Sequence, residues 1–250
     1  MKNPWTILTT AAAALFAVVL GIHYFNSNQQ SHTVSANSET NMDDDNGAIP
    51  AISTPGKTPL QIDLPNKIIR GTPKSVRVSP LERYVEGKRP PFLVPLGTQN
   101  IAFGKSVTSS DPVPIIGELE MITDGDKEGY DGCWVELGPG PQWIQIDLEQ
   151  EYEIYAILIW HYFQHSRAFH DVIVQTADDP DFIMGVQTLF NNDRDNSSGQ
   201  GVGEDWYFLD TYEGKLIDAK GIKTRYVRLY SNGNTANDDN FYIEVEVYGK

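Results

Sequence analysis

The sequence predicts an all-β domain, an antiparallel jelly-roll β-sandwich, over residues 97–250. Many short apolar runs there are separated by turns rich in Gly, Asn and Asp, and no segment shows a sustained helical period. Short strands spaced in this way are typical of sandwiches. The candidate strands are Ile101–Val107, Ile115–Ile122, Trp143–Leu148, Ile154–Trp160, Asp171–Thr176, Val186–Phe190, Trp206–Leu209, Arg225–Tyr230 and Tyr242–Tyr248.

The clearest of these strands is Trp143–Leu148. Ile144, Ile146 and Leu148 fall on one face at period two, with polar residues between them, which is the pattern of a half-buried strand. The acidic run Glu149–Glu151 predicts a turn before the next apolar run. We therefore expect this strand and its neighbours to form the centre of the sandwich.

The apolar stretch Trp5–Phe25 predicts one N-terminal transmembrane helix. It carries no charge over about 21 residues, enough for a helix to span roughly 30 Å of hydrocarbon. Lys2 precedes it, and no Lys or Arg follows until Lys57. The positive-inside rule then predicts a single-pass signal anchor in the cell membrane. The N-terminus lies in the cytoplasm, and the C-terminal domain lies outside, periplasmic or extracellular. A cleaved signal peptide is the alternative.

Two further segments separate the predicted anchor (residues 1–25) from the sandwich. Residues 26–57 are rich in Ser, Asn, Gln, Thr and Asp and predict a disordered linker, because they offer little apolar surface to bury. Residues 58–96 contain seven prolines, which confine any strand to a sheet edge. We expect this Pro-rich arm to be extended and to lie partly on the sandwich.

The charge of the chain is large and uneven. The formal net charge is −15, which argues against nucleic acid as a partner. Between Lys57 and Arg89 there are eight Lys or Arg against three Asp or Glu, whereas from Thr98 onward there are ten against 27. A basic arm therefore precedes an acidic domain. The single Cys133 excludes an internal disulfide.

Four motifs in order resemble one known family. They are Asn100–Ser110 (NIAFGKSVTSS), Asp124-Gly-Asp126 with Trp134, Gln142–Leu148 (QWIQIDL), and the pair Tyr226–Leu229 (YVRL) and Glu244–Gly249 (EVEVYG). Together they resemble the discoidin domain, also called the coagulation factor V/VIII type C domain, of galactose-binding-like fold. The resemblance covers about residues 97–250 and implies a jelly roll of about eight strands that binds sugars in bacterial members. The chain departs from the pattern in its long middle segment, Asp178–Lys223, and in lacking the cysteine pair of animal members.

An acidic loop is a candidate metal site. Asp124 and Asp126 alternate around a glycine, and such oxygen ligands suit Ca²⁺. The resemblance implies a structural calcium held by this loop together with Glu244 of the terminal motif. The alternative is a solvated acidic loop that is capped by its own backbone amides.

A second candidate site lies between the strand that ends at Trp160 and the next one. His161, Tyr162, His165 and Arg167 supply the aromatic faces and planar donors with which proteins bind sugars. Arg194 lies in the long polar loop 191–203 and is expected to join them, because long loops in compact domains are often functional. The alternative is that these residues only close the end of the sandwich.

The sequence shows no paired nucleophile and base, and no nucleophile elbow. It therefore predicts a non-enzymatic, membrane-anchored binding module whose partner is a carbohydrate or cell-surface glycan. One alternative is a structural or assembly protein that docks onto a protein partner. A less favoured alternative is a metal-dependent hydrolase that uses the histidine cluster.

Overall fold

The computed structural model describes residues 54–67, 75–84 and 88–250. The predicted anchor Trp5–Phe25 and most of the predicted linker lie outside these ranges. Within the described ranges, no helix is long and apolar enough to cross a membrane.

The described part of the chain is built almost entirely from strands. Its only helix is a 3-10 helix at Leu119–Thr123. The strands are β1 (Lys57–Pro59), β2 (Leu93–Pro95), β3 (Gln99–Asn100), β4 (Val107–Ser109), β5 (Val135–Leu137), β6 (Gln142–Trp160), β7 (Ile173–Ala177), β8 (Gln187–Asn191), β9 (Lys215–Ser231), β10 (Asn240–Tyr242) and β11 (Glu244–Gly249).

Antiparallel pairing joins most of these strands into one seven-stranded sheet. The order is β3–β11–β6–β9–β7–β8, and β4 pairs with the first half of β6. Strands β6 and β9 form the spine, because they stay paired from Gln142 opposite Ser231 to Ile159 opposite Lys215. Two-stranded ribbons, β5 with β10 and β1 with β2, complete the fold. The predicted all-β antiparallel sandwich is confirmed.

The predicted turn at Glu149–Glu151 is wrong. The chain continues through it as one strand of 19 residues, β6, which absorbs the acidic run as an irregularity in its register with β9. Glu149 adopts a left-handed backbone conformation there, with φ of 71°. The two predicted strands on either side of the turn are therefore halves of a single bent strand.

Three predicted strands are also corrected. Of Ile101–Val107, residues 101–106 form the loop between β3 and β4, which begins at Val107, and Ile115–Ile122 ends in the 3-10 helix. Trp206–Leu209 makes only an isolated bridge, Tyr207 to Leu81 of the arm. In each segment too few neighbouring backbone groups find a partner strand, so local apolar composition did not suffice to form a strand.

The core confirms the period-two pattern of the central strand. Ile144, Ile146 and Leu148 are all fully buried and belong to the main apolar cluster, together with Val227 and Leu229 of β9. Each such side chain contributes roughly 1.5–3 kcal/mol to folding through its burial. These contacts fix the spine and hold the loops at its ends.

The second half of β6 is buried on both faces. Ile157 and Ile159 face the main cluster, whereas Leu158 and Trp160 belong to a second, smaller cluster. The Pro-rich arm covers this second cluster with Leu60, Ile62 and Phe92. The arm therefore packs on the sheet face that the sandwich itself leaves open.

Candidate functional site

Three loops meet at one end of the sandwich. They are residues 161–172 before β7, residues 192–214 before β9, and residues 232–239 after β9. The backbone N–H of His170 donates to the Gly233 carbonyl at 3.0 Å, and that of Asn232 donates to the His170 carbonyl at 2.9 Å. The side-chain hydroxyl of Ser197 donates to Asp171 at 2.6 Å, and this bond connects the loop 192–214, called the middle loop, to the loop 161–172.

A cleft of about 560 Å³ opens between these loops. It is the size of the pockets that take small ligands in other proteins. The residues that line it include His170, Asp171, Arg194, Tyr207, Asn232 and Asp238. They offer an imidazole, a phenol, an amide, a guanidinium and carboxylates, which together can both donate and accept hydrogen bonds.

Asp171 organises the floor of this cleft. It is buried and has a φ of 51°, a left-handed conformation that few residues other than glycine adopt. Its Oδ2 accepts hydrogen bonds from Ser197, Ser198 and the Asn232 amide, at 2.6, 3.3 and 2.7 Å. The Asn232 amide is therefore held in one orientation at the cleft.

Tyr207 and His170 form the aromatic part of the cleft. Their ring centroids lie 5.8 Å apart in an edge-to-face arrangement. Burial raises the pKa of the Tyr207 phenol, and the nearby Asp171, Asp195 and Asp193 carboxylates raise it further. The phenol therefore keeps its proton at neutral pH and remains a hydrogen-bond donor.

The middle loop is stabilised by its own carboxylates. Oxygens of Asp171, Asp193 and Asp195 lie within 4.8 Å of one another, the one such acidic or histidine group found in the described ranges. Asp193 is fully buried and accepts N–H groups of Asp195, Ser197 and Ser198. These bonds hold the loop in shape beside the cleft.

The five predicted ligand-binding residues do not form one site: Tyr162, His165 and Arg167 are neighbours, whereas only Arg194 lines the cleft. His161 is fully buried, with its Nδ1 3.0 Å from an Asp210 carboxylate oxygen and its ring stacked on Phe169. Solvent does not reach it, so its expected contact with a ligand in solution is not supported. His161 was predicted to bind a ligand because the sequence does not distinguish a buried imidazole from an exposed one.

Tyr162 and Arg167 are also largely buried. The Arg167 guanidinium lies over the rings of Tyr162 and Phe241, at 4.8 and 5.2 Å from their centroids. Burial lowers the pKa of Arg167, although nearby carboxylates counteract this effect. His165 is exposed on the same loop, and Arg194 lines the cleft.

Most residues of the cleft carry no signal in the sequence. His170 and Asp171 lie at the C-terminal end of the segment that drew attention, and Tyr207 was assigned to a strand. Asn232 precedes Gly233, a pair that is typical of an ordinary turn and gives no signal of a binding site. Their convergence depends on loop contacts that no local pattern encodes. The segment's histidines, His161, His165 and His170, form no metal-binding group among the described residues.

The predicted calcium ligands differ in their environments. Glu244 is fully buried, and its Oε2 accepts the Gly125 N–H at 3.2 Å, while its Oε1 has no hydrogen-bond partner. Burial raises the pKa of Glu244 to about 9. Asp124 and Asp126 are exposed and accept N–H groups of their own loop at 2.7 and 2.9 Å.

Glu244, Asp124 and Asp126 differ in how well their environments suit a bound cation. The unpartnered buried oxygen of Glu244 fits a metal ligand, since a buried carboxylate needs a compensating charge. The negative charge of Asp124 raises the pKa of Glu244, so the two carboxylates lie near each other. However, Asp124, Asp126 and Glu244 do not form a group of closely spaced oxygens like that of Asp171, Asp193 and Asp195.

Comparison with known proteins identifies the domain. Residues 121–229 match the family model of the F5/F8 type C, NedA-like, galactose-binding domain. No curated protein matches the chain significantly.

Solved structures with some similarity to this chain include a family 89 glycoside hydrolase from Clostridium perfringens. It is 18% identical over 60% of this chain and 14% of its own, with a TM-score of 0.45, so the match spans about a seventh of the enzyme. A fucose-binding module from Streptococcus pneumoniae is 22% identical over 60% of this chain and 97% of its own, with a TM-score of 0.42. A chitosan-binding module from a Paenibacillus chitosanase/glucanase is 18% identical over 60% and 99%, with a TM-score of 0.40. The family match and the motifs agree, and residues 121–229 match an F5/F8 type C, galactose-binding-like domain.

Proposed function

We propose that this chain is a carbohydrate-binding module whose ligand occupies the cleft between the three end loops. The observation that carries this proposal is the cleft itself: a rigid polar floor, an aromatic wall and a volume of about 560 Å³. Sugars need an aromatic face for their C–H groups and planar donors and acceptors for their hydroxyls. The family match to a galactose-binding domain supports the same class of ligand.

The charge of the cleft favours neutral sugars. Asp171, Asp195 and Asp238 line it against one cation, Arg194. A carboxylated or sulfated sugar would meet an excess of negative charge there and would be repelled. An open cleft of this kind makes few contacts, so we expect a dissociation constant on the order of 10⁻⁴ M for a single sugar chain.

The proposal revises the ligand-binding residues from the sequence-based set to the cleft. Arg194 is retained, and His170, Tyr207 and Asn232 replace the buried His161 and Arg167. The role is one of binding, without catalysis.

A glycan array with the full chain tests this function. Neutral oligosaccharides should bind, and Arg194→Ala and His170→Ala should each weaken binding at least tenfold while the melting temperature changes little. Lys223→Ala is the matched control, because Lys223 is exposed on β9 away from the end loops. If no neutral glycan binds at millimolar concentration, carbohydrate binding at this cleft is wrong and the alternative of docking to a protein partner takes its place there.

We also propose that Ca²⁺ stabilises the domain at Glu244. A cation bound by Glu244, with Asp124 nearby, would compensate the buried carboxylate and connect an early loop to the last strand. Stability would then rise with free Ca²⁺, by about 2.7 kcal/mol at a hundredfold excess over the dissociation constant. Equal melting temperatures in chelator and in millimolar Ca²⁺ would contradict this.

The location of the domain is a separate proposal. The uncharged run Trp5–Phe25 supports a membrane anchor with the binding domain outside the cytoplasm. The intact protein should then remain in the membrane fraction after carbonate washing and be cleaved by external protease. Release of a mature form that starts near Asn26 would exclude the retained anchor.

A further inference from the structure

A second cavity lies between the Pro-rich arm and the C-terminal part of the loop 192–214. Its volume is about 430 Å³. One side is formed by arm residues Lys67, Tyr84 and Lys88, and the other by the segment Phe208–Leu216 that leads into β9. The family match begins at residue 121, so the arm side of this cavity lies outside it.

The cavity is basic, although the chain is strongly acidic. Its lining contains five cationic residues against two acidic ones, in a chain whose formal net charge is −15. The five are Lys67, Arg83, Lys88, Arg89 and Lys215. This excess of positive charge is opposite in sign to that of the end-loop cleft.

Both acidic residues of the lining are already engaged. Glu82 pairs with Lys215, and Glu213 accepts the backbone N–H of Arg89 at 3.1 Å. Among the described residues, no ion pair involves Lys67, Arg83 or Lys88. Three cations therefore face the cavity without a carboxylate of the described chain to neutralise them.

The wall of the cavity is held firmly on the sheet. The Arg89 guanidinium donates to the Glu213 carbonyl at 2.9 Å and also to that of Gly214. The Lys215 ammonium lies 4.9 Å from the ring centroid of Phe208. These contacts keep the charges of Arg89 and Lys215 in place before a ligand arrives, which lowers the cost of binding.

Aromatic surface lies beside the cations. The Lys67 ammonium is 5.6 Å from the ring centroid of Tyr212, and Tyr84 is exposed at 59% of its surface. A ligand that matches this lining needs an anionic group for the ammonium groups and a flat apolar face for the rings. A pyranose ring with a carboxylate has both features.

The net charge of the whole chain restricts the class of ligand further. A polymer of high charge density, such as nucleic acid or a heavily sulfated glycan, would be repelled by the surrounding acidic surface. A uronate chain carries only one carboxylate per sugar, and a cavity of about 430 Å³ accommodates one or two sugar rings. We propose that this basic cavity is a second carbohydrate site, which binds uronic-acid residues of an acidic polysaccharide.

Titration calorimetry of the full chain in detergent, with tri-galacturonate as the probe, tests the proposal. Binding should be measurable at low salt and weaken as salt is added. The fully methyl-esterified trimer, which keeps the rings and loses the charges, should bind at least tenfold more weakly. Equal binding of the two trimers would overturn the proposal.

Variants locate the site. Lys67→Glu and Lys88→Glu should each reduce tri-galacturonate affinity at least tenfold without changing the melting temperature. Lys57→Glu, in β1 next to the arm and outside the cavity lining, should leave the affinity unchanged. Affinity that survives both cavity substitutions, or falls equally with the Lys57 control, would overturn the proposal.

The two carbohydrate sites can fail independently. Arg194→Ala in the end-loop cleft should not alter tri-galacturonate binding, and Lys88→Glu should not alter binding of a neutral glycan. Loss of tri-galacturonate binding in Arg194→Ala would assign the uronate to the end loops and overturn the basic cavity as its site. Absence of neutral-glycan binding would refute only the function of the end-loop cleft.

Discussion

The buried carboxyl group of Glu244 makes the stability of the domain depend on pH in a direction that is unusual for an acidic residue. The perturbation is Glu244→Gln, which keeps the shape of the side chain and removes its ionisation. In the folded chain Glu244 is fully buried on β11, with one backbone N–H donor and one oxygen without a partner. Burial is the main reason that its pKa rises from an ordinary 4.5 to about 9, and the charges of Glu246 and Asp124 add to it.

The direction of this pH dependence follows from the protons that the folded and unfolded states bind. Between pH 4.5 and 9 the folded chain holds the Glu244 proton while the unfolded chain has released it. The contribution of Glu244 to the free energy of unfolding is therefore fully present below pH 4.5 and is lost as pH rises through 9. The slope is about 1.4 kcal/mol per pH unit, so the loss over the whole range is on the order of 3–6 kcal/mol.

Urea unfolding in chelator at pH 5, 7 and 9, followed by tryptophan fluorescence, measures this loss. Wild type should lose stability relative to Glu244→Gln as pH rises, and the difference should grow by several kcal/mol between pH 5 and pH 9. Glu151→Gln is the control, because Glu151 is exposed and pairs only with Lys223 at the surface. Parallel curves for wild type and Glu244→Gln would refute the argument.

Three further substitutions test the fold. Gly214→Ala should lower the free energy of unfolding by about 1–3 kcal/mol, because Gly214 has a φ of 67° and an added Cβ would lie 2.6 Å from the buried Trp160 ring; an unchanged melting temperature would contradict this. Ile146→Ala should cost about 2–5 kcal/mol in urea unfolding, since Ile146 is fully buried in the main cluster; a cost below 1 kcal/mol would mean that the site collapses around the smaller side chain. Asp147→Asn should cost at most about 1 kcal/mol at pH 7, because the Arg225 partner is partly exposed. Arg225 lowers the pKa of Asp147, so this difference should be present above the ordinary carboxyl pKa and vanish as pH falls below it; a difference that persists at pH 2 would exclude the ion pair as its cause.

Sequence patterns predicted the strands where burial alternates or is continuous. Trp143–Leu148 and Ile154–Trp160 were located correctly, because their side chains must be buried whatever the neighbouring strands are. The acidic turn between them was not a turn, because pairing with β9 continues beyond it. Lys215–Thr224 was not predicted as a strand, since its mixed composition lacks both periodic signals and its pairing with β6 decides its structure.

The candidate site was predicted only in part. The sequence predicted a site on loops that include residues lining the cleft, among them Arg194, because aromatic and polar residues are unusual in such density after a buried strand. It did not distinguish His161, which bonds to Asp210 in the interior, from His170, which lines the cleft. The two imidazoles are chemically the same, and only the path of the loop determines which one solvent reaches.

The sequence by itself determined the class of fold and the family, because the alternation of apolar residues and the order of the motifs are local properties of the chain. It also determined the contrast between a basic arm and an acidic domain. The positions of the arm's cations relative to the rest of the domain depend on the tertiary structure. Packing of Leu60, Ile62 and Phe92 on the second face of the sheet brings the cations of the arm to the Phe208–Leu216 segment. The end-loop cleft likewise depends on contacts between loops up to about 60 residues apart in sequence, such as Asp171 with Asn232. Such contacts form only when the strands between them have paired, so no local pattern records them.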